Sequence, residues 1–181
     1  MKKLLLAALV SSLSAAAMAD GLKFAPLLSD KAFKFEPTVA LTAGLVKPNG
    51  ESSETAYGVE LNFNCGLLQT PDNRIRTHLS LSRVNDNNYD ATILELSPRY
   101  TLPLASGFSV GVGPSLGAVR VDPDAAGANR QTYFAYGVVG GVNYRMGALY
   151  AGLDVGVRRT NEKNDSDFDS RYATLKVGIN F

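Results

Sequence analysis

The feature that most constrains this chain is an alternation of apolar and polar residues with a period of two, which recurs from residue 35 to the end. Successive side chains of a β-strand point to opposite faces, so this period indicates strands. Clusters of Asn, Asp, Gly, Pro and Ser separate the runs, as turns and loops do. The sequence predicts eight strands, at 35–45, 57–67, 75–81, 92–102, 108–118, 134–146, 149–157 and 173–181.

The connections between these runs alternate in length. Those at 46–56, 82–91, 119–133 and 158–172 are long, and those at 68–74, 103–107 and 147–148 are short. An up-and-down meander places long and short connections at opposite ends of the sheet, and an even number of strands returns both termini to one end. After residue 20, no apolar segment approaches the ~18 residues that a membrane-spanning helix needs. The chain is therefore predicted to be all-β.

The two faces of the runs decide between a soluble sandwich and a membrane barrel. One face carries no charged residue, and its aromatic residues lie near strand ends, with only Phe63 in the centre of a run. Interfacial aromatic girdles are typical of membrane barrels, whereas a sandwich core would hold aromatics in mid-strand. We therefore predict a single up-and-down antiparallel transmembrane β-barrel of eight strands over residues 33–181. Pro98 and Pro114 remove ladder hydrogen bonds, and we expect β-bulges there.

The first residues have the order of a secretory signal. Lys2 and Lys3 precede an apolar run at 4–10, and Ala17-Met18-Ala19 has the small-residue pattern of a cleavage site. We expect cleavage after Ala19 and a periplasmic lead-in over residues 20–32. Removal of the two lysines changes the formal net charge from +1 to −1. Proteins that bind nucleic acid are typically basic, so this charge argues against that function. One Cys and one His leave no disulfide or thiolate metal site, and we expect no cofactor.

The polar face carries charges that would point into the lumen. Four are acidic and five basic, so they nearly cancel, which favours a salt-bridged plug over a charge-selective pore. A hairpin paired about the last loop would place Asp154 opposite Lys176. The alternative is a narrow, low-conductance channel through the same residues. The predicted lumen charges are Glu36, Glu60, Arg76, Glu95, Arg99, Arg145, Asp154, Arg158 and Lys176.

One set of residues is a candidate for catalysis. His78 and Ser80 lie on the same face of a strand, and pairing across the next loop would bring Glu95 beside His78. A nucleophile, a base and an orienting carboxylate form a catalytic triad. The pair resembles the His-x-Ser of outer-membrane lipid A deacylases, although Leu81 stands where those enzymes commonly have Asn. Because these side chains point into the lumen, we expect a polar interior network and no enzyme activity.

The four long connections are polar, and the one at 160–170 is rich in Asp. We expect them to be solvated surface loops that can meet a host or surface ligand. The alternative is a divalent cation held by clustered carboxylates that bridges lipopolysaccharide phosphates. Cys65 is assigned to the lipid-facing side as a small apolar filler.

The last strand carries a resemblance to a known group of proteins. Terminal Phe181, preceded at every second position by apolar residues, resembles the carboxy-terminal signal that the assembly machinery of bacterial outer-membrane barrels reads. The stretch 97–117 resembles the central hairpin of small opacity-like and OmpX-like barrels. The resemblance implies a bacterial outer membrane, contact with its lipid and lipopolysaccharide, and the barrel-assembly machinery, but no single activity. The residues of the assembly signal are Leu175, Val177, Ile179 and Phe181.

Overall fold

The computed structural model describes residues 21–86, 89–124, 129–162 and 167–181. The predicted signal peptide, with its cleavage site, lies outside these residues, as do parts of three long connections. Within the described ranges, no helix has the length and apolar character needed to cross a membrane.

Eight long strands close into one antiparallel barrel. Each strand pairs with its neighbours along the chain, and the last pairs with the first, so the predicted meander and strand number are confirmed. Two further strands of two residues each pair with each other outside the barrel. The first of them and a short helix precede the barrel strands, and the second lies between the second and third barrel strands. The elements are β1 (Lys23–Phe24), α1 (Pro26–Ser29), β2 (Thr38–Pro48), β3 (Glu54–Asn64), β4 (Leu68–Gln69), β5 (Ile75–Asn85), β6 (Tyr89–Pro103), β7 (Phe108–Pro123), β8 (Gln131–Met146), β9 (Leu149–Thr160) and β10 (Ser170–Asn180).

The barrel has two different ends. The connections after β2, β5, β7 and β9 lie on one side, and we call this side the loop end. The opposite side, the turn end, holds the connection after β3, the N-terminal segment, Phe181 and the tight connections after β6 and β8. Gly107 and Gly147 in these connections have φ values of +83° and +57°, which glycine adopts without strain.

The strands extend further toward the loop end than the sequence predicts. For example, β7 reaches Pro123 rather than 118, and β5 reaches Asn85 rather than 81. The alternation reverses there: the outward Arg83 and Arg120 are exposed, while the inward Val84 and Val119 are 0% exposed. Outward apolar residues are the mark of a strand in the sequence, so the reversed segments are predicted as loops.

The predicted bulges at Pro98 and Pro114 are wrong. The pairing of β6 with β7 is interrupted there, but the flanking pairs Leu96 with Leu116 and Tyr100 with Val112 keep one register. That register places the two prolines opposite each other. Neither has an N–H group, so the ladder loses hydrogen bonds without needing an inserted residue.

The N-terminal segment packs against the turn end. Strand β1 pairs with β4, and the backbone N–H of Ala25 donates to the carbonyl of Leu67 at 2.8 Å. The Lys23 ammonium donates to Asp30 Oδ2 at 2.7 Å, and this contact lowers the pKa of the Asp30 carboxyl. Cys65 follows the end of β3 and is 9% exposed. Its assignment to the lipid-facing side is therefore wrong.

The outward surface between the two ends is a belt of exposed apolar side chains. It is typical of a barrel whose outer face meets hydrocarbon. Phe63 is the next-to-last residue of β3 and stacks on Phe35 with ring centroids 4.5 Å apart, so its predicted central position is wrong. At the same end Phe108 packs on Tyr144 at 4.7 Å. Members of the belt include Leu41, Val59, Leu81, Leu94, Leu116, Val138, Leu153, Val155, Leu175 and Val177.

Candidate functional site

The lumen is filled by the charged side chains that the sequence places on the polar face. Seven of the nine predicted residues are at most 6% exposed. The two exceptions, Glu36 and Arg145, lie toward the turn end, where the Glu36 side chain is 56% exposed. The seven are Glu60, Arg76, Glu95, Arg99, Asp154, Arg158 and Lys176.

The centre of the lumen holds an interlocked set of ion pairs. Lys176 Nζ lies 2.9 Å from Asp154 Oδ2 and 3.2 Å from Glu60 Oε1. Arg99 Nη1 lies 2.8 Å from the same Asp154 oxygen. Two carboxylates and two cations, all nearly inaccessible, therefore neutralise one another. We call Glu60, Arg99, Asp154 and Lys176 the charge network.

The predicted register of the last hairpin is shifted from the observed one. Asp154 lies opposite Thr174 rather than opposite Lys176, whose partner is Gly152. The contact forms across the diagonal because the lysine side chain is long enough to reach the next inward position. A Cβ at Gly141 would lie 2.1 Å from Asp154 Oδ1, so a glycine there leaves room for the carboxylate.

A second ion pair lies on the loop-end side of the charge network. Arg158 Nη2 donates to Glu95 Oε2 at 2.8 Å, and the Tyr172 hydroxyl donates to Glu95 Oε1 at 2.8 Å. The Arg158 guanidinium also lies 4.7 Å from the centre of the Tyr172 ring. Both oxygens of the carboxylate are thus occupied.

The candidate triad is not assembled. Glu95 lies opposite Ser80, while His78 lies opposite Ser97, so the predicted neighbourhood of Glu95 and His78 is wrong by one inward position. His78 Nδ1 lies instead 2.9 Å from Glu60 Oε1. Ser80 lines a cavity of about 40 Å³ between the two ion-pair groups, which is room for about one or two waters and not for a lipid chain.

An apolar cluster closes the lumen at the loop end, and the sequence analysis missed it. Its side chains come from the reversed segments of the strands and from the last long connection, where Phe168 meets Tyr89 edge-on with ring centroids 5.8 Å apart. The signal available in the sequence was the alternation in Val119-Arg120-Val121, with the charge on the outward position. The buried members are Val46, Ala56, Val84, Tyr89, Ala91, Ile93, Val119, Tyr133, Ala135 and Phe168.

The outward side of the loop end carries basic residues just beyond the apolar belt. Arg83 pairs with Asp90 at 2.7 Å, and Arg159 pairs with Asp169. Lys47 and Arg171 lie directly opposite each other on β2 and β10, and both are exposed. Neither has a carboxylate within 4 Å among the described residues. We call Lys47 and Arg171 the basic pair.

The long connections show no cation site in their described parts. Over the ranges that the structure describes, no three His, Cys, Asp or Glu side chains are grouped so that they could hold a metal ion. Residues 163–166 of the Asp-rich connection, 125–128 and 87–88 lie outside those ranges.

Comparisons with known proteins show the fold. The crystal structure of Neisserial surface protein A (NspA) matches with a TM-score of 0.57 and 18% identity, over 81% of this chain and 95% of that one. The N-terminal β-barrel domain of Pseudomonas aeruginosa OprF matches with a TM-score of 0.56 and 15% identity, over 82% and 100%. No protein-family model and no curated protein sequence matches. The chain therefore has the fold of eight-stranded outer-membrane β-barrels, as the resemblance implied.

Proposed function

We propose that this protein is a bacterial outer-membrane barrel that acts through its outward and loop-end surfaces, as a structural or surface-interaction protein, and not through its lumen. The observation that carries the proposal is the double closure of the lumen. The charge network fills its centre, and the apolar cluster covers the loop end with side chains that are at most 8% exposed. A solute that crossed the lumen would have to displace both the charge network and the apolar cluster.

The orientation in the membrane follows from the two ends. The apolar belt supports insertion in a bilayer, and short turns face the periplasm in barrels of this class. We therefore place the loop end outside the cell and the turn end, with residues 20–32, in the periplasm. Residues 1–19 serve as the export signal in this proposal, and cleavage follows Ala19. The exposed outward side chains of Leu175, Val177, Ile179 and Phe181 are the surface offered to the barrel-assembly machinery.

The basic pair supports lipopolysaccharide as a partner. In the proposed orientation it lies where the apolar belt ends and the phosphates of the outer leaflet begin. Two unneutralised cations directly opposite each other repel, and a phosphate between them removes that repulsion. The loops above the pair remain free to bind a ligand on a host or on another surface.

The closed lumen predicts that the protein does not conduct ions. Refolded protein, inserted in a planar bilayer at neutral pH, should show no unitary current steps, because no continuous water path crosses the apolar cluster. The heat-induced gel shift of the folded barrel verifies the sample, and a known porin verifies the bilayer. Steady openings from verified folded protein would instead favour the narrow channel and refute the proposal.

The basic pair predicts tighter binding of lipopolysaccharide than of its dephosphorylated form. Each cation near a charged lipid surface contributes about 1 kcal/mol, so Lys47→Gln together with Arg171→Gln should weaken binding about tenfold or more. Titration of the detergent-solubilised barrel with purified lipopolysaccharide measures this. The matched control, Lys31→Gln with Lys34→Gln, removes two charges at the turn end and should change nothing. Equal losses in both variants, or no loss in either, would contradict the assignment.

The hydrolase alternative has no support in the geometry. Glu95 is held by Arg158 and Tyr172, and the cavity beside Ser80 does not open to the apolar belt in the described structure.

A further inference from the structure

The turn end of the lumen opens into a cavity of about 420 Å³, which we call the vestibule. It lies on the other side of the charge network from the apolar cluster. Its walls include the side chains of Arg76 and Arg145, neutral polar groups such as Asn64 and Ser109, and Glu36 at the mouth. The proposed function uses none of these residues.

The lumen has one more cation than it has carboxylates, and the excess lies at the vestibule. Glu60 and Asp154 are neutralised within the charge network, and Glu95 is neutralised by Arg158. Arg145 has no carboxylate within 4 Å among the described residues. Its Nη2 donates to the amide oxygen of Asn62 at 2.8 Å, and its guanidinium lies 5.1 Å from the centre of the Tyr150 ring.

A second guanidinium lies beside it. Arg76 Nη2 donates to the same Asn62 oxygen at 3.1 Å and to the Glu36 carbonyl at 2.8 Å, and its Nη1 donates to Asn64 Oδ1 at 2.8 Å. The two cations therefore share one acceptor, and every acceptor of these hydrogen bonds is neutral. The nearest carboxylate oxygen to Arg76 belongs to Glu36, 3.7 Å away and on an exposed side chain. Arg76 is 6% exposed, and the Nε atoms of both arginines are buried without a hydrogen-bond acceptor in the described structure.

Unused donors on two adjacent guanidiniums call for an anion. Buried donors without acceptors are costly, and guanidinium groups bind oxyanions through parallel, charge-assisted hydrogen bonds. Arg74 and Asp72 at the mouth pair with each other at 3.2 Å and cancel, so they do not supply the missing charge. Glu36 supplies only part of the negative charge that would balance the two arginines, because its side chain is exposed to solvent.

We propose that the vestibule is a binding site for a small phosphate-type oxyanion, held between the guanidiniums of Arg76 and Arg145. A dianion matches two cations better than a monocarboxylate, which one guanidinium already satisfies. The vestibule has room for an anion of this size. Glu36 competes for Arg76 and weakens the site. This inference does not rest on the proposed function, because it requires neither the lipid nor the loops.

The test is calorimetric titration of the refolded full barrel, in a nonionic detergent at low ionic strength, with inorganic phosphate and with acetate. Saturable binding of phosphate, tighter than that of acetate, is expected. Loss of a charge-assisted hydrogen bond in Arg145→Gln should weaken it about tenfold, whereas Glu36→Gln should tighten it severalfold. Arg83→Gln removes the same charge from an exposed outward side chain that belongs to neither proposed phosphate site, and it serves as the matched control.

The opposite responses of the two vestibule variants keep the test decisive. If Arg145→Gln does not fold, as judged by the heat-induced gel shift, Glu36→Gln alone must still tighten binding. Phosphate binding that is absent, that acetate equals, or that responds to Arg83→Gln as strongly as to Arg145→Gln would overturn the proposal.

Discussion

Replacing Lys176 with methionine is expected to destabilise the folded barrel by about 3–5 kcal/mol, the usual consequence of removing one member of a buried ion pair. Lys176 is 2% exposed and is the cation that both Glu60 and Asp154 contact. Without it, two carboxylates remain buried, and among the described residues Arg99 is the only full positive charge near both of them. Reversible urea unfolding in lipid vesicles, followed by circular dichroism and the gel shift, measures the change.

Lys47→Met is the matched control, because it makes the same chemical change at an exposed outward position. Its effect on the free energy of unfolding should stay below about 0.5 kcal/mol in vesicles without lipopolysaccharide. A loss of less than about 1 kcal/mol in Lys176→Met, or equal losses in the two variants, would contradict the network as a buried, structural element.

Placing an arginine in the middle of the apolar belt is expected to be the second most damaging change. Leu153 lies midway along β9, faces outward and is 45% exposed, so Leu153→Arg would put a charge into the hydrocarbon. The expected loss is about 2–4 kcal/mol in a bilayer, as found for outward arginines near the midplane of such barrels. Denaturant unfolding in phospholipid vesicles measures it.

Val157→Arg provides the comparison. Val157 faces outward on the same strand but lies close to the loop end, beside the position where Arg159 already carries an outward charge. Its cost should therefore be about 0–1 kcal/mol. If both substitutions were neutral, the belt would be facing water and the membrane assignment would be wrong; if both were equally costly, the depth of the belt would be misplaced.

Strand number, connection order and the division into two faces could all be predicted from this sequence, because each depends on local alternation. The β6 and β7 runs, for example, are recognisable from their alternating Leu, Val and small residues, and both form long paired strands. Seven of the nine predicted lumen charges are buried in the barrel and could be named from parity alone, whereas Glu36 precedes β2 and has an exposed side chain.

The register could not be predicted in the same way. A hairpin that is symmetric about its loop predicts Asp154 opposite Lys176, and likewise Glu95 opposite His78. The observed partners are Thr174 for Asp154 and Ser80 for Glu95. Register depends on where the sheet pairing ends, and the pairing continues beyond the apolar belt, so the loop centres inferred from composition were displaced.

The sequence by itself determined that the chain forms an eight-stranded meander with an apolar outside and a charged inside, because side-chain alternation is a property of each strand's own backbone. Only the tertiary structure decided how the lumen is closed. The apolar cluster needs residues from most strands to converge at one end, and the vestibule needs Arg76 and Arg145 from β5 and β8 to share one amide of β3. Arg145 and Asn62, for example, lie 83 positions apart in the chain, and barrel closure brings them together.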